Sequence, residues 1–357
     1  MTIGDSFRVT LFGSSHGPHV GASITGVPKG IVIDNELIQL AMDERRPGGK
    51  FSSKRTEPDV VEWQNGVKDG ITDGGEIRCI IQNLDVRSSD YSFLPHHPRP
   101  GHQDMVMHIK SKGTADLRGG GTSSARLTAP LVAAAALISP LLNEIGVSVQ
   151  AHVGAVGSVK ANLITDCPPK WKDELCHQLR CRDPNASVKI AELIEEARKN
   201  RDSLGSMVSA VISGLPIGVG EPWFDGLEPA LGRGLLAIPA ARGVEFGHGF
   251  AAVQMVGSSH NSPWAGTKEH PVQIGEQPDG GLAGVSTGSD LHLNVAFKPP
   301  SSIPRPQSTL NLETGEQEEL IVKGRHDPVL APRATAVVEA VCKIVIFDLC
   351  IRGNFFG

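Results

Sequence analysis

The chain has 357 residues, 39% of them hydrophobic, and a formal net charge of −5, enough apolar material for a sizeable core. A weakly acidic balance gives no general electrostatic reason to bind nucleic acid or an acidic membrane surface, so any anion must be held by local basic clusters. Six cysteines without a C-x-x-C pair or zinc-finger spacing, and an N-terminus unlike a signal peptide, read as reduced thiols in a cytoplasmic protein.

In chain order, the first unusual stretch is FGSSHGPHVG, Phe12 to Gly21, with two histidines among three glycines. Each glycine costs a helix roughly 1 kcal/mol relative to alanine, so the stretch reads as a loop or tight turn that brings imidazoles close to bare backbone. DERRPGGKFSSKR, Asp43 to Arg55, places Arg45, Arg46, Lys50, Lys54 and Arg55 around a Pro-Gly-Gly turn, either as a solvated loop or as a clamp for carboxylates and phosphate. In the segment Arg99 to Arg126, the run Arg118-Gly-Gly-Gly-Thr-Ser-Ser leads into an apolar helix beginning near Ala125. Glycines followed by hydroxyls at a helix N-terminus offer backbone N–H groups and a positive dipole end to a phosphate, or else form an ordinary loop with a serine cap. APLVAAAALISPLL, Ala129 to Leu142, falls short of the roughly 20 apolar residues of a membrane span and predicts a buried core helix, kinked or divided at Pro140.

Further along, Ala186 to Asn200 predicts an amphipathic helix, and Ser206 to Ser213 and Asp290 to Phe297 predict strands. FKPPSSI (Phe297 to Ile303) then follows a strand end, and KGRHDPV (Lys323 to Val329) precedes a helix that has Pro332 in its first turn and ends at Gly353. No repeat or low-complexity linker separates these elements, so one α/β or α+β domain is expected rather than two. Thirteen histidines raise the possibility of a metallohydrolase, but no H-E-x-x-H or other metal spacing supports it, and no metal is expected. A non-catalytic anion-binding protein would need the arginines and serines, but not the glycine-flanked histidines.

Taken in order, FRVTLFGSSHG, RRPGGK, the Arg87-Ser-Ser-Asp-Tyr stretch, RPGH-x-D, D-x-RGGG-x-SSAR, GVEFGHGF, FKPPSSI and GRHDP resemble the chorismate synthase family over nearly the whole chain. The resemblance implies an α+β fold in which residues 1–357 form a single-domain β-α-β sandwich, with helices packed between antiparallel sheets, assembled as a homotetramer. It also implies a carbon–oxygen lyase of the shikimate pathway that removes phosphate and a ring hydrogen from 5-enolpyruvylshikimate 3-phosphate in an anti-1,4 sense to give chorismate. Reduced FMN would be the cofactor, supplied through NADPH at the protein or by an external flavin reductase. By motif, His16, His102 and Asp327 are the catalytic candidates. Thr122, Ser123, Ser124, Pro239, Ala240, Ala283, Lys298, Pro299, Pro300, Ser301, Ser302 and Arg325 are the candidates for FMN, with Arg45 and Lys50 for the nicotinamide nucleotide. Arg45, Arg46, Arg118 and Arg126 are the candidates for the substrate's anionic groups.

The chain departs from the family pattern at Ser14 and Leu127, where the family carries glutamates, and at Thr122, where it carries arginine. Met105 replaces a tyrosine, and KSKG at 110–113 holds an extra residue near Lys112. These changes leave a second expectation beside the active enzyme: a diverged member with weakened activity that acts mainly as a flavin- or anion-binding protein.

Overall fold

The structure, a computed structural model, describes all residues except 47–49, 52–56, 86–87, 276–277, 325 and 357, and excepting the side chain of Ser88. Its first sheet is built from β1 (Thr2–Ile3), β2 (Arg8–Gly13), β3 (His19–Thr25), β4 (Glu62–Asn65) and β7 (Ile77–Gln82), in the antiparallel order β1-β2-β3-β7-β4; β5 (Val67–Lys68) and β6 (Ile71–Thr72) form a small hairpin beside it. The second sheet joins β8 (Ser148–Val156), β9 (Val159–Lys160), β10 (Ser206–Ser213), β11 (Ala241–Phe246) and β16 (Leu291–Phe297) in the antiparallel order β11-β16-β10-β8-β9. Between β11 and β16 lie two small hairpins, β12 (Trp264–Gly266) with β13 (Pro271–Gln273) and β14 (Gly281–Leu282) with β15 (Val285–Ser286).

Alternation along the strands sends one face of each sheet inward. Val20, Ala22 and Ile24 of β3 and Ile77, Cys79 and Ile81 of β7 are fully buried from one side, and Val208, Ala210 and Ile212 of β10 with Leu291, Leu293 and Val295 of β16 are buried from the other. Between them lie the helices: α1 (Asn35–Arg45), α3 (Thr128–Glu144) and α8 (Ala331–Arg352). Helix α3 packs on β2, β3 and β7, α8 packs on β8 and β10, and the two helices pack on each other. The expected sandwich of helices between antiparallel sheets is therefore what the chain forms. The shorter helices α2 (Asp104–Lys110), α4 (Glu174–Leu179), α5 (Pro184–Lys199), α6 (Leu227–Leu236) and α7 (Gly257–His260) lie outside that central pair.

The sandwich explains why α3 is apolar all round, since it is buried on several sides. Arg118–Glu144, which has the length and composition of a membrane span, is mostly buried inside the fold. The division expected at Pro140 is absent. The helix continues to Glu144, with the Ser139 hydroxyl donating back to the Ala135 carbonyl (2.7 Å) in the turn that holds the proline. Helix α5 begins two residues before Ala186, because Asp183 accepts the amides of Asn185 and Ala186 and Pro184 takes the first helical position.

A second correction concerns Phe12 to Gly21, only the middle of which is a turn. Gly13 pairs with Val20 in β2–β3, and Gly21 pairs with Phe12 on one side and Ile80 on the other. The glycines serve packing here: a Cβ on Gly21 would stand 2.4 Å from the Phe12 ring. The turn itself is residues 14–18.

The chain start is fastened to the last helix. Asp348 of α8, 5% exposed, accepts the backbone N–H groups of Asp5 (3.1 Å), Ser6 (2.7 Å) and Phe7 (2.8 Å), all at Oδ1. A buried donor left without its acceptor costs about 1–3 kcal/mol. Asp348→Ala is therefore expected to lower unfolding free energy by roughly 3 kcal/mol or more, while Asp348→Asn, which keeps an acceptor at Oδ1, loses less than half as much; urea unfolding of the two variants measures the difference.

Candidate active site

Four segments distant in sequence converge beyond the β2–β3 turn. The turn docks on the glycine run: the Ser15 amide donates to the Gly121 carbonyl (3.2 Å), and its hydroxyl donates to the Arg118 carbonyl (3.1 Å) and lies 3.3 Å from His16 Nδ1. Asn83 braces the turn from below, its Nδ2 donating to the carbonyls of Ser14 (3.0 Å) and Gly17 (2.8 Å). The His16 ring stands edge-on to Tyr91, with centroids 5.1 Å apart.

Gly119, Gly120 and Gly121 all have positive φ, at 58°, 88° and 54°, in the region that glycine enters without steric cost. A Cβ on Gly119 would stand 2.6 Å from the His16 ring. One on Gly120 would face Ser124 Cβ at 3.6 Å and His102 Cε1 at 4.0 Å. The bare backbone therefore has His16 on one side and His102 on the other. Gln103 ties the second side down, its Nε2 donating to the Gly120 carbonyl (2.6 Å).

His102 belongs to a tight cluster with Arg99 and Asp104. Asp104 is fully buried, and its Oδ1 lies 2.6 Å from His102 Nδ1. Arg99 donates to both of its oxygens, and through Nη1 also to Ser302 Oγ (3.1 Å). From the strand end after β16, Lys298 Nζ and Ser301 Oγ both donate to the Gly101 carbonyl, the serine at 2.7 Å. The Lys298 amide donates to the Ala240 carbonyl (3.0 Å), which brings Pro239 and Ala240 to the edge of the group. Desolvation, with Arg242 nearby, pushes the Lys298 ammonium below its ordinary value.

Behind Ser124 lies a polar recess lined by Arg45, Glu57, Asp59, Ser124, Arg126 and Arg333. Arg45 and Arg126 converge on Asp59, with Arg45 Nη2 at 2.6 Å from Oδ2 and Arg126 Nη1 on Oδ1. Arg126 also reaches Glu57 (3.5 Å) and the Asn83 amide oxygen (2.8 Å), while Arg333 pairs with Asp327 (2.7 Å). Burial pulls the Arg45 guanidinium down to about 10 against the opposing pull of Asp59. Burial acts to raise Asp59, but the two guanidiniums outweigh it and hold the carboxyl below its ordinary value of 3.8.

The structure thus gathers His16, His102, Arg118, Thr122 to Ser124, Lys298 to Ser302, Arg45, Arg126 and Asp327 into one region. Other candidates stand apart. Arg46 caps α1 and pairs with Asp43 (2.7 Å), Lys50 pairs with Glu195 of α5 (3.1 Å) and is 67% exposed, and Ala283 sits on the exposed β14–β15 turn. Arg325, Lys54, Arg55 and Arg87 lie outside the described residues. The expected helix N-terminus is also modified: a 3-10 turn, Ala125–Leu127, intervenes before α3, and Ser124 caps that turn through the Arg126 amide (3.3 Å). Leu127 faces the core, and the extra residue near Lys112 is absorbed in a left-handed turn at Lys112 and Gly113 after α2. Sequence reasoning missed Asp59, Glu57, Asn83 and Asp104. Only Asp104 carried a local signal, the His-x-Asp spacing.

These features define an α+β protein with a basic, glycine-walled site flanked by two imidazoles. The family model described as chorismate synthase matches residues 7–351. The chain is 44% identical to chorismate synthase of Aeropyrum pernix over 352 residues, spanning 98% of this chain and 92% of that protein. With the chorismate synthase of Cytophaga hutchinsonii the identity is 41%, over 99% of this chain and 98% of that one. A crystal structure titled chorismate synthase superposes with a TM-score of 0.74 at 23% identity, covering 98% of this chain and 93% of the other, which establishes a shared fold. The chain belongs to the chorismate synthase family, a family of lyases.

Because Asp59 titrates lower in the folded chain than in the unfolded one, its network contributes fully above about pH 4 and loses its contribution as pH falls below that value. Asp59→Asn takes the charged partner from Arg45 and leaves Arg126 with Glu57 alone, and a broken buried pair costs about 3–5 kcal/mol. Urea unfolding between pH 3 and pH 7 is expected to show that loss at neutral pH and a shallower acid-side decline in the variant.

Proposed function

We propose that this protein converts 5-enolpyruvylshikimate 3-phosphate to chorismate by anti-1,4-elimination, with reduced FMN as cofactor. What supports the reading is the convergence of His16, the glycine run, the His102 cluster and Lys298 to Ser302 on one site in a chain of this family. The donor set suits a phosphate-bearing anion. Glycines 101, 119 and 120 put no side chain in its way, Thr122 and Ser123 are exposed hydroxyls, and Lys298 lies beside Arg242.

In the elimination, the carbon–oxygen bond to phosphate breaks and the ring hydrogen at the far end of the allylic system leaves, forming the second ring double bond. Reduced FMN, when bound, supplies electron density that it recovers at the end, so substrate and product are at the same oxidation level. His16 protonates the departing phosphate, which would otherwise leave as a poorly stabilised anion. Arg45, Arg118 and Arg126 bind the substrate's anionic groups, with Arg126 oriented by Asp59, Glu57 and Asn83. His102 holds a proton at the cofactor, and Asp327, paired with Arg333, lies along the route by which it returns. Thr122 to Ser124 and Lys298 to Ser302, with Arg325, hold the cofactor. The enzyme works in the cytoplasm as a homotetramer, its flavin reduced by NADPH or by a separate reductase.

Anaerobic assay with dithionite-reduced FMN tests the reading. Chorismate and phosphate should form in equal amounts, and only with reduced flavin. His16→Ala and His102→Ala should each lower turnover by about 10- to 10⁴-fold, whereas His177→Ala and His270→Ala, on residues that stand outside the site, should be nearly silent. Flavin binding without turnover would instead identify a diverged binding protein, and equal behaviour of all four variants would overturn the assigned roles.

A further inference from the structure

Asp104 receives four hydrogen bonds from two residues: the Arg99 amide (3.0 Å) and Nε (2.7 Å) on Oδ2, and Arg99 Nη2 (2.9 Å) and His102 Nδ1 (2.6 Å) on Oδ1. The carboxylate is fully buried, while the His102 side chain remains 23% exposed. One of its two ring nitrogens is therefore committed inward, and the rest of the ring faces the glycine run.

Proton placement follows from the distances. A carboxylate oxygen and an imidazole nitrogen 2.6 Å apart must share a proton, since two lone pairs at that separation repel. Burial works against charge on Asp104, but the hydrogen bonds from Arg99 and His102 outweigh it and hold the carboxyl well below its usual range, so the proton resides on Nδ1. Arg99 Nη2, always a donor with two N–H groups, lies 2.9 Å from Oδ1 and 3.0 Å from Nδ1; the charged oxygen is the stronger acceptor of the two, and a bare Nδ1 would face Oδ1 lone pair to lone pair. The neutral ring then carries its lone pair on Nε2.

We infer that Asp104 is the positioning residue of this site, fixing His102 as the Nδ1–H tautomer with Nε2 as proton acceptor and clamping Arg99 onto Ser302. The catalytic part of this inference rests on the function proposed above; the tautomer does not. One carboxylate thereby sets both the direction in which the imidazole accepts a proton and the seat of the strand-end segment beside it. Asparagine cannot replace it. The Arg99 amide and Nε claim an oxygen at one branch, which turns the –NH₂ toward His102 and forces the ring into the Nε2–H tautomer.

Imidazole ¹⁵N NMR of the ligand-free protein, with His102 assigned by comparison with His102→Ala, reads the tautomer directly. In its neutral form the wild-type ring should show a protonated Nδ1 and bare Nε2; a neutral ring protonated at Nε2 instead would overturn the inference whether or not any variant folds. Asp104→Asn should switch the tautomer and lower kcat by about 10²-fold or more with KM changed less than threefold, and Asp104→Glu should recover both in part. A normal tautomer with normal kcat in folded Asp104→Asn would also overturn it. A switched tautomer with normal kcat would confirm the positioning role and instead remove His102 from the proposed mechanism.

Discussion

Three consecutive residues without side chains, Gly119 to Gly121, are the constraint on which the site depends. Each occupies a left-handed backbone conformation, and any Cβ at 119 would collide with His16 while one at 121 would meet the Asp116 carbonyl at 2.5 Å. The run can therefore pass between the β2–β3 turn and the Arg99–Asp104 cluster with an imidazole on either side. A backbone hydrogen bond from Ser15 and a side-chain bond from Gln103 hold it at both faces. The sandwich beneath supplies rigidity: the run leads through a short 3-10 turn into α3, the most deeply buried helix, so the position of the glycines is inherited from the core.

Charge is arranged with equal economy. Arginines taken by themselves suggest a strongly positive cleft, yet Arg45 and Arg126 share Asp59, Arg333 has Asp327, Arg118 has Asp116 and Arg99 has Asp104. Isolated buried guanidiniums would be costly, whereas paired ones are held in one orientation. An incoming polyanion meets donors already aligned, and it gains from the directions of their N–H groups as much as from net charge. The geometry of Arg126, gripped by Glu57, Asp59 and Asn83, is the clearest case.

Much of the fold was legible in the sequence. The strands at 206–213 and 290–297, the amphipathic helix from 186 and the C-terminal helix ending at Gly353 follow from periodicity and from proline and glycine placement, and they appear within one or two residues. Misreadings have physical causes. Phe12 to Gly21 looked like a loop because its glycines signal backbone freedom, when Gly21 instead makes room for the Phe12 ring inside a sheet. Pro140 predicted a break that burial of the surrounding helix overrides. The order of strands within each sheet was not legible, since in the second sheet it depends on pairings between residues 50 to 91 positions apart.

The candidate site was legible in part for the same reason. Histidines, arginines and serines advertise chemistry locally, so His16, His102 and Lys298 to Ser302 stood out. The carboxylates that orient them did not: Asp59 is an unremarkable residue until a positive φ of 52° and two guanidiniums 14 and 67 positions away give it a role. The most direct measurement of the central claim, that bare backbone at 119 seats His16 for reaction, is anaerobic phosphate release by Gly119→Ala with reduced FMN. Alanine tolerates this φ at modest cost, and the added methyl meets side chains only, the His16 ring and the Ser15 hydroxyl, so the variant should melt within a few degrees of the wild type. A displacement of about 1 Å is worth on the order of 10² in rate; a loss of that order with folding intact is the predicted result, and wild-type turnover would contradict it.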